Sequence, residues 1–216
     1  MTEKEITVKG IIAGSFPYGE YGKRLILLTD ALGKVTAFAK GAAKQTSKII
    51  GLSRLFTCGE FVLSEGAGAY GVHGIRVIDS FEEISTLPES AFLGQYVLET
   101  ASYYTKEGIA ETDAKSMLNL VYVTLSALRE EALPAELLRR IYELRLLRQE
   151  GIYEEAPAMK TAIAGAAWNY VLNCPLSHLF DKEKWDLCEE TGSFTESVRI
   201  LWEKEAGHRF KTAEFL

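Results

Sequence analysis

Basic side chains are concentrated in one stretch near the N-terminus. Residues 21 to 54 contain seven Lys or Arg residues and one acidic residue, Asp30. The basic residues are Lys23, Arg24, Lys34, Lys40, Lys44, Lys48 and Arg54. Lysine and arginine neutralise phosphate groups, and exposed aromatic rings stack on bases. Because Phe16, Tyr18, Tyr21 and Phe38 are interleaved with these residues, we expect an exposed basic track that binds a nucleic acid strand.

A second interpretation of the same residues is a solvated basic face above a core of aromatic rings. The formal net charge of −6 favours it, and Phe38 is ambiguous because one face of a strand must be core. The charge is unevenly distributed, however. Residues 1–80 have a net charge of +3, and the remaining 136 residues have a net charge of −9. Such an asymmetry indicates two parts with different roles.

The elements that must position the basic residues are strands. Short runs of alternating apolar and polar residues indicate half-buried antiparallel strands. The five runs are centred on residues 6–12, 23–29, 34–40, 61–63 and 75–77. A long connection, Gly41–Thr57, separates the third run from the fourth. This pattern predicts a five-stranded OB-fold barrel over residues 1–80.

After about residue 81 the apolar period changes from two to 3.6. Helices are predicted over residues 88–107, 113–131, 134–151 and 157–174, and a capping box at Ser193–Glu196 opens a last helix. We therefore predict an α+β multidomain protein. Its N-terminal barrel is followed by an all-α domain over residues 81–216.

The helix predicted to begin at Pro134 carries a candidate peptide site. Arg140, Leu144 and Arg148 lie at positions i, i+4 and i+8, on one helical face. An apolar groove with arginines at its rim could bind an acidic peptide, whose carboxylates pair well with guanidinium groups. The alternative is that these arginines pair with Glu136, Glu143 or Glu150 of the same helix.

Signals for catalysis, metal binding and membrane insertion are weak. The three cysteines form no CxxC pair, and the three histidines have no partner at metal-ligand spacing. The glycines of Gly66–Gly71 precede a strand rather than the helix that a dinucleotide site requires. We therefore expect no catalytic activity, no metal and no other cofactor. No apolar run approaches the roughly 20 residues of a membrane span, and the N-terminus is charged, so we expect a cytoplasmic protein.

Several short segments, in order and spacing, resemble one known family. In the N-terminal part they are Gly10–Ile12, Pro17–Glu20, Leu27–Thr29, Gly33–Val35 and Ala39–Ala42, followed by Lys44, Ser47 and Gly51. In the helical part they are Tyr142–Leu147, Gly151, Cys174–Leu176 and Phe210–Lys211. The sequence is similar over nearly its whole length to the RecO family of recombination mediators, most clearly over residues 8–56.

The resemblance implies a function and partners. RecO-like proteins bind single-stranded and double-stranded DNA through the OB-fold domain and anneal complementary strands. With RecR they help to load RecA on DNA coated by single-strand binding protein (SSB), whose acidic C-terminal tail docks on the helical domain. The resemblance also implies a location in the cytoplasm at the nucleoid.

The family motif and the charge pattern together give the candidate DNA contacts. They are Arg24, Lys34, Lys40, Lys44, Lys48, Arg54 and Tyr18. Two departures from the family are visible. Ala43 stands where many relatives have a second basic residue before Lys44. The segment Gly151–Pro157 is short and has no cysteine where many relatives carry a zinc module, so no zinc module is expected.

Overall fold

The computed structural model describes residues 5–41, 49, 51–152, 165–188 and 191–216. The chain forms two compact units. The first comprises Met1–Glu82 with Ala101–Leu118, and the second comprises Glu83–Thr100 with Asn119–Leu216.

Five strands build the first unit. They are β1 (Glu5–Tyr18), β2 (Gly22–Thr29), β3 (Gly33–Ala39), β4 (Cys58–Glu65) and β5 (Tyr70–Asp79). The strands close into a barrel in the order β1-β2-β3-β5-β4. The β3–β5 pair is parallel, and the other neighbouring strands are antiparallel. The predicted OB-fold barrel followed by helices is confirmed.

The alternation of side chains along the strands determines which residues fill the barrel interior. Apolar residues from β1, β2, β3 and β4 form one buried cluster: Val8, Ile12, Leu25, Leu27, Val35, Ala37, Ala39, Phe61 and Leu63. Successive side chains of a strand point to opposite faces. The even-numbered residues of β2 and β3 therefore point away from this core.

The long strand β1 takes part in two pairings. Glu5–Ile11 pairs with β4, and Gly10–Tyr18 pairs with β2. The register with β2 shifts between Ile12 and Gly14. A bulge of this kind bends a strand and increases its twist, which allows one strand to close a small barrel.

The β2–β3 hairpin packs against the Ala101–Leu118 segment of the same unit. Gly33 has a φ of +70°, and a Cβ atom at this position would lie 2.1 Å from the carbonyl oxygen of Lys106. The backbone N–H of Gly108 donates to the Leu32 carbonyl at 3.1 Å. Gly33 is thus required both by its positive φ and by the close approach of the neighbouring chain.

Helices build most of the second unit. In chain order they are α1 (Pro88–Tyr104), α2 (Glu111–Arg129), α3 (Ala135–Gln149), α4 (Ala166–Asn173), α5 (Lys182–Asp186) and α6 (Thr191–Glu205). Short 3-10 turns lie at Glu82–Thr86, Leu176–His178 and Thr212–Phe215. The first three helices match the predicted ranges to within a few residues. Helix α6 begins two residues before the predicted capping box.

A buried ionic network lies within the second unit. Glu143 of α3 is fully buried. Its carboxylate accepts hydrogen bonds from Arg139 Nε at 2.9 Å, Arg140 Nη1 at 2.7 Å and the Tyr96 hydroxyl at 2.6 Å. Burial, together with the neighbouring carboxylate, raises the pKa of Tyr96, so the phenol stays a donor. These bonds connect α3 to α1.

We expect substitution of Glu143 to destabilise the second unit strongly. The Glu143→Gln variant leaves Arg139 without a carboxylate partner, and removing one partner of a buried ion pair costs about 3–5 kcal/mol. Urea unfolding followed by circular dichroism would measure this loss. Glu203→Gln, which breaks an exposed pair with Arg199, is the matched control and should change stability far less. Equal losses in the two variants would contradict the importance of the buried network.

Glu99 of α1 holds the segment after α6. Its carboxylate accepts hydrogen bonds from the backbone N–H groups of Lys211 and Thr212, both at 3.0 Å, and from the Thr212 hydroxyl. Burial by itself raises the pKa of Glu99, but these hydrogen bonds and nearby His208 outweigh it. The pKa of Glu99 is therefore below its ordinary value.

This lowered pKa predicts a pH dependence of stability. The ionised carboxylate stabilises the fold above the pKa that Glu99 has in the unfolded chain, and this contribution is lost as the pH falls through the lower folded pKa. We expect wild type to lose more stability than Glu99→Gln when the pH is lowered from about 6 to about 3. Melting temperatures across this range would measure the effect, with Glu89→Gln, an exposed carboxylate of α1, as control. Parallel profiles for wild type and Glu99→Gln would contradict it.

Candidate nucleic-acid interface

The outer surface of β1, β2 and β3 carries exposed aromatic and basic side chains. In the strand register Phe16 is opposite Arg24, and Arg24 is opposite Phe38. One step further along, Tyr18 is opposite Gly22. Residues that are directly opposite in neighbouring strands share one face of the sheet. We call Phe16, Tyr18, Arg24, Phe38 and Lys40 the aromatic–basic face.

Phe16 and Arg24 form a stacked pair on this face. The Arg24 guanidinium carbon lies 5.0 Å from the centre of the Phe16 ring. A Cβ atom at Gly14 would lie 2.8 Å from Phe16 Cε2, so the ring rests in the space that this glycine leaves. Phe16 is 46% exposed. A half-exposed ring beside a cation can stack on a base while the cation pairs with a phosphate.

Tyr18 and Phe38 form a second aromatic pair. Their ring centres are 4.4 Å apart, and Tyr18 is 52% exposed. Between the two strands that carry them lies Gly22 of β2, which has no side chain to separate the rings. Lys40 follows β3 and is exposed. The ambiguity of Phe38 is thereby settled: Val35, Ala37 and Ala39 fill the core side of β3, and Phe38 points outward.

Lys23 and Arg54 lie close to each other, and Lys23 points to the opposite side of β2 from its neighbour Arg24. The Lys23 ammonium donates to the Ser53 carbonyl at 2.8 Å, and the Ser15 hydroxyl donates to the same oxygen at 2.8 Å. Burial lowers the pKa of Lys23, and the nearby Arg54 lowers it further. The Arg54 side chain is 65% exposed and only loosely paired with Glu82, at 3.8 Å. Arg54 is therefore available to a ligand, whereas Lys23 fixes the chain around Ser53.

Lys34 lies apart from the other basic residues. Its ammonium donates to the carbonyl of Ser102, and burial lowers its pKa. It lies six residues before Lys40 along an extended chain, a separation of about 20 Å at about 3.3 Å per residue. The expected continuous track therefore does not include Lys34 in this arrangement. Lys44 and Lys48 lie outside the described residues.

The candidate peptide groove on α3 is not open. Leu144 is fully buried, and Arg140 is 5% exposed. Arg140 Nε donates to Glu136 at 2.8 Å, and its Nη1 donates to Glu143. Arg148 is exposed, with Nη1 at 3.4 Å from Asn173 Oδ1. Arg140 therefore pairs within its own helix, which was the alternative to a peptide groove. This face of α3 points toward the interior of its unit.

In the described ranges, neither a cluster of metal ligands nor the thiol of Cys58 offers a reactive group. Within them, no group of three or more His, Cys, Asp or Glu side chains is arranged to hold a metal ion. Cys58 is buried, and burial together with nearby Asp79 raises the pKa of its thiol to about 11. Such a thiol is protonated and unreactive at neutral pH.

Among the helices of the described residues, none combines the length and the apolar character needed to cross a bilayer.

Sequence reasoning missed how the aromatic–basic face is built. Phe16 is opposite Arg24 only because of the register shift after Ile12, and no periodic pattern of the sequence displays that shift. Two glycines, Gly14 and Gly22, provide the space for the Phe16 and Tyr18 rings. Gly14 lies two residues before Phe16, and Gly22 directly follows Tyr21. Glycines so close to aromatic residues in a strand are a signal that could have suggested close packing of these rings.

Comparison with known proteins gives a consistent family. The family described as "Recombination protein O N terminal" matches residues 1–81. A Clostridium novyi (strain NT) protein named "DNA repair protein RecO" is 30% identical over 187 residues, which cover 86% of this chain and 70% of that protein. Proteins with the same name from Alkaliphilus metalliredigens (strain QYMF) and Clostridium perfringens (strain 13 / Type A) are 28% and 32% identical, over 68% and 66% of this chain.

The coverage of these relatives differs. The alignments include 58% of the Alkaliphilus protein and 56% of the Clostridium perfringens protein, so the chain spans a little more than half the length of these two relatives. The barrel topology agrees with the match of the N-terminal part to this family. The Clostridium novyi relative is 30% identical, and the alignment covers 70% of its length. On these grounds the chain belongs to the RecO family.

Proposed function

We propose that this protein is a non-enzymatic DNA-binding mediator of recombination in DNA repair. It binds single-stranded and double-stranded DNA, anneals complementary strands and helps to load RecA on SSB-coated DNA. The observation that carries the proposal is the aromatic–basic face, on which Arg24 stacks on Phe16 and Tyr18 packs against Phe38 beside exposed Lys40.

The arrangement suits strand annealing. Arg24, Lys40 and Arg54 bind phosphates, which supplies affinity without regard to base sequence. Exposed rings stack on the flat faces of bases, which is equally tolerant of sequence. Neither contact occupies the edges of the bases that form Watson–Crick pairs. A strand held in this way therefore stays able to pair with its complement.

The partner interactions are proposed from the family. We propose that RecR and the C-terminal tail of SSB bind this protein, the latter on the helical domain, and that it works in the cytoplasm at the nucleoid. Of the three residues predicted for the peptide site, Arg148 is the exposed one. An acidic tail would be attracted to such a guanidinium group.

A protein-interaction module without nucleic acid contact is the alternative, and the net charge of −6 favours it. Retention on single-stranded DNA resin at about 50 mM salt separates the two functions, because phosphate contacts are strong at low salt. Recovery of the protein in the flow-through at this salt concentration would support the alternative.

We expect charge reversal on the aromatic–basic face to weaken DNA binding at least about tenfold, because a carboxylate that repels phosphate replaces each cation. The variant is Arg24→Glu with Lys40→Glu, measured by fluorescence anisotropy with a labelled single strand at low salt. The matched control is Lys106→Glu with Lys115→Glu, two exposed lysines of the first unit with the same change in net charge. Equal weakening in both variants would mean that net charge, not this face, determines binding.

Removal of the rings should weaken binding in a different way. We expect Tyr18→Ala with Phe38→Ala to cost about 1–3 kcal/mol per base that stacks, with an unchanged salt dependence. Charge removal at Arg24 and Lys40 should instead reduce the slope of log K against log salt by about 0.7 for each phosphate that is no longer neutralised. Titrations at several salt concentrations distinguish the two. If ring removal flattened the salt slope, the division between stacking and charge would be wrong.

A further inference from the structure

A groove runs along the barrel where β3 meets β5. The two strands pair in parallel, with Ala37 opposite Tyr70 and Phe38 opposite Gly71. The groove has a volume of about 430 Å³ and is lined by Phe38 and Lys40 on one side and by residues 64–67 and 69–73 on the other. Ligand pockets usually measure about 300–1,000 Å³. The groove is thus large enough for one small planar ligand.

A hydrogen-bonding pair lies in the groove. Ser64 Oγ and His73 Nε2 are 2.7 Å apart. A Cβ atom at Gly71 would lie 3.0 Å from Ser64 Oγ and 3.7 Å from His73 Nε2. Because Gly71 has no side chain, the space between Phe38 and this pair stays open. A ligand there would meet a ring on one side and groups that both donate and accept hydrogen bonds on the other.

The charges around the groove indicate which part of a nucleotide fits. Glu65 is in the lining, and Glu5 Oε1 lies 3.9 Å from His73 Nδ1. These carboxylates disfavour a phosphate inside the groove. Lys40, which lines the β3 side and is exposed, provides a cation for a phosphate on the solvent side of the groove. The interior therefore suits a neutral heterocycle whose phosphate stays outside.

We propose that this groove binds one unstacked nucleobase of a single strand lying on the aromatic–basic face. The base stacks on Phe38, its polar edge contacts the Ser64–His73 pair, and Lys40 holds the adjoining phosphate. This inference rests on the proposed DNA binding. It adds a physical reason why the protein would bind single strands more tightly than duplexes. A base in a duplex is paired and stacked, and its extrusion costs free energy.

The test compares an oligothymidylate with an abasic strand of the same length, both labelled and measured by anisotropy. Two variants close or disable the groove: Gly71→Val, which fills it, and Ser64→Ala with His73→Ala, which removes the polar pair. Gly74→Val is the matched control on the same strand, since a Cβ atom there would meet only Val62, at 3.8 Å. Circular dichroism verifies the fold of each variant.

We expect wild type and Gly74→Val to bind the base-bearing strand about tenfold more tightly than the abasic strand. In both groove variants this ratio should fall at least about threefold, while the affinity for the abasic strand stays within about twofold of wild type. An unchanged ratio in the two groove variants would overturn the base-binding groove and leave DNA binding intact. If wild type binds neither strand, the proposed function fails, and this inference fails with it.

Discussion

The burial of one face of each strand in a closed barrel determines the rest of the first unit. Leu25 and Leu27 of β2 fill the interior together with Val35, Ala37 and Ala39 of β3. Since side chains alternate along a strand, the residues between them must point outward. Arg24, Phe38 and Lys40 are exposed or partly exposed for this reason. An outward-facing set of aromatic and basic side chains is thus a direct consequence of how the core is formed.

Glycines leave room for the aromatic rings of this outward-facing set. The Phe16 ring rests over Gly14, Gly22 lies between the strands that carry Tyr18 and Phe38, and Gly71 keeps open the space beside Phe38. In each case a missing side chain leaves room for a ring or a ligand. The second unit is built differently. There the side chains of α3 are buried on nearly every side, and Glu143 holds two arginines and a tyrosine.

The contrast between Lys34 and Lys40 illustrates why charge counts alone cannot locate a binding surface. Both belong to the same basic stretch and, by the alternation of β3, to the same outer side of the barrel. Lys34 is at the hairpin end, where it is half-buried and the Ser102 carbonyl accepts a hydrogen bond from its ammonium group. Lys40 is at the other end, beside an open groove. A lysine is available to phosphate only where its ammonium group does not already donate a hydrogen bond to another part of the chain.

The sequence by itself determined the two classes of structure, because the period of apolar residues reports directly on strands and helices. The order of its short motifs was enough to indicate the RecO family. The sequence did not determine which face of β2 is buried, because Leu25 to Leu28 are all apolar, and it left Phe38 of β3 ambiguous. Tertiary structure decided the rest. The register shift in β1 made Phe16 the partner of Arg24, the packing of α3 placed Arg140 and Leu144 inside, and the parallel β3–β5 pairing brought Phe38 to Gly71. These features depend on contacts between residues far apart in the chain, and no local pattern specifies such contacts.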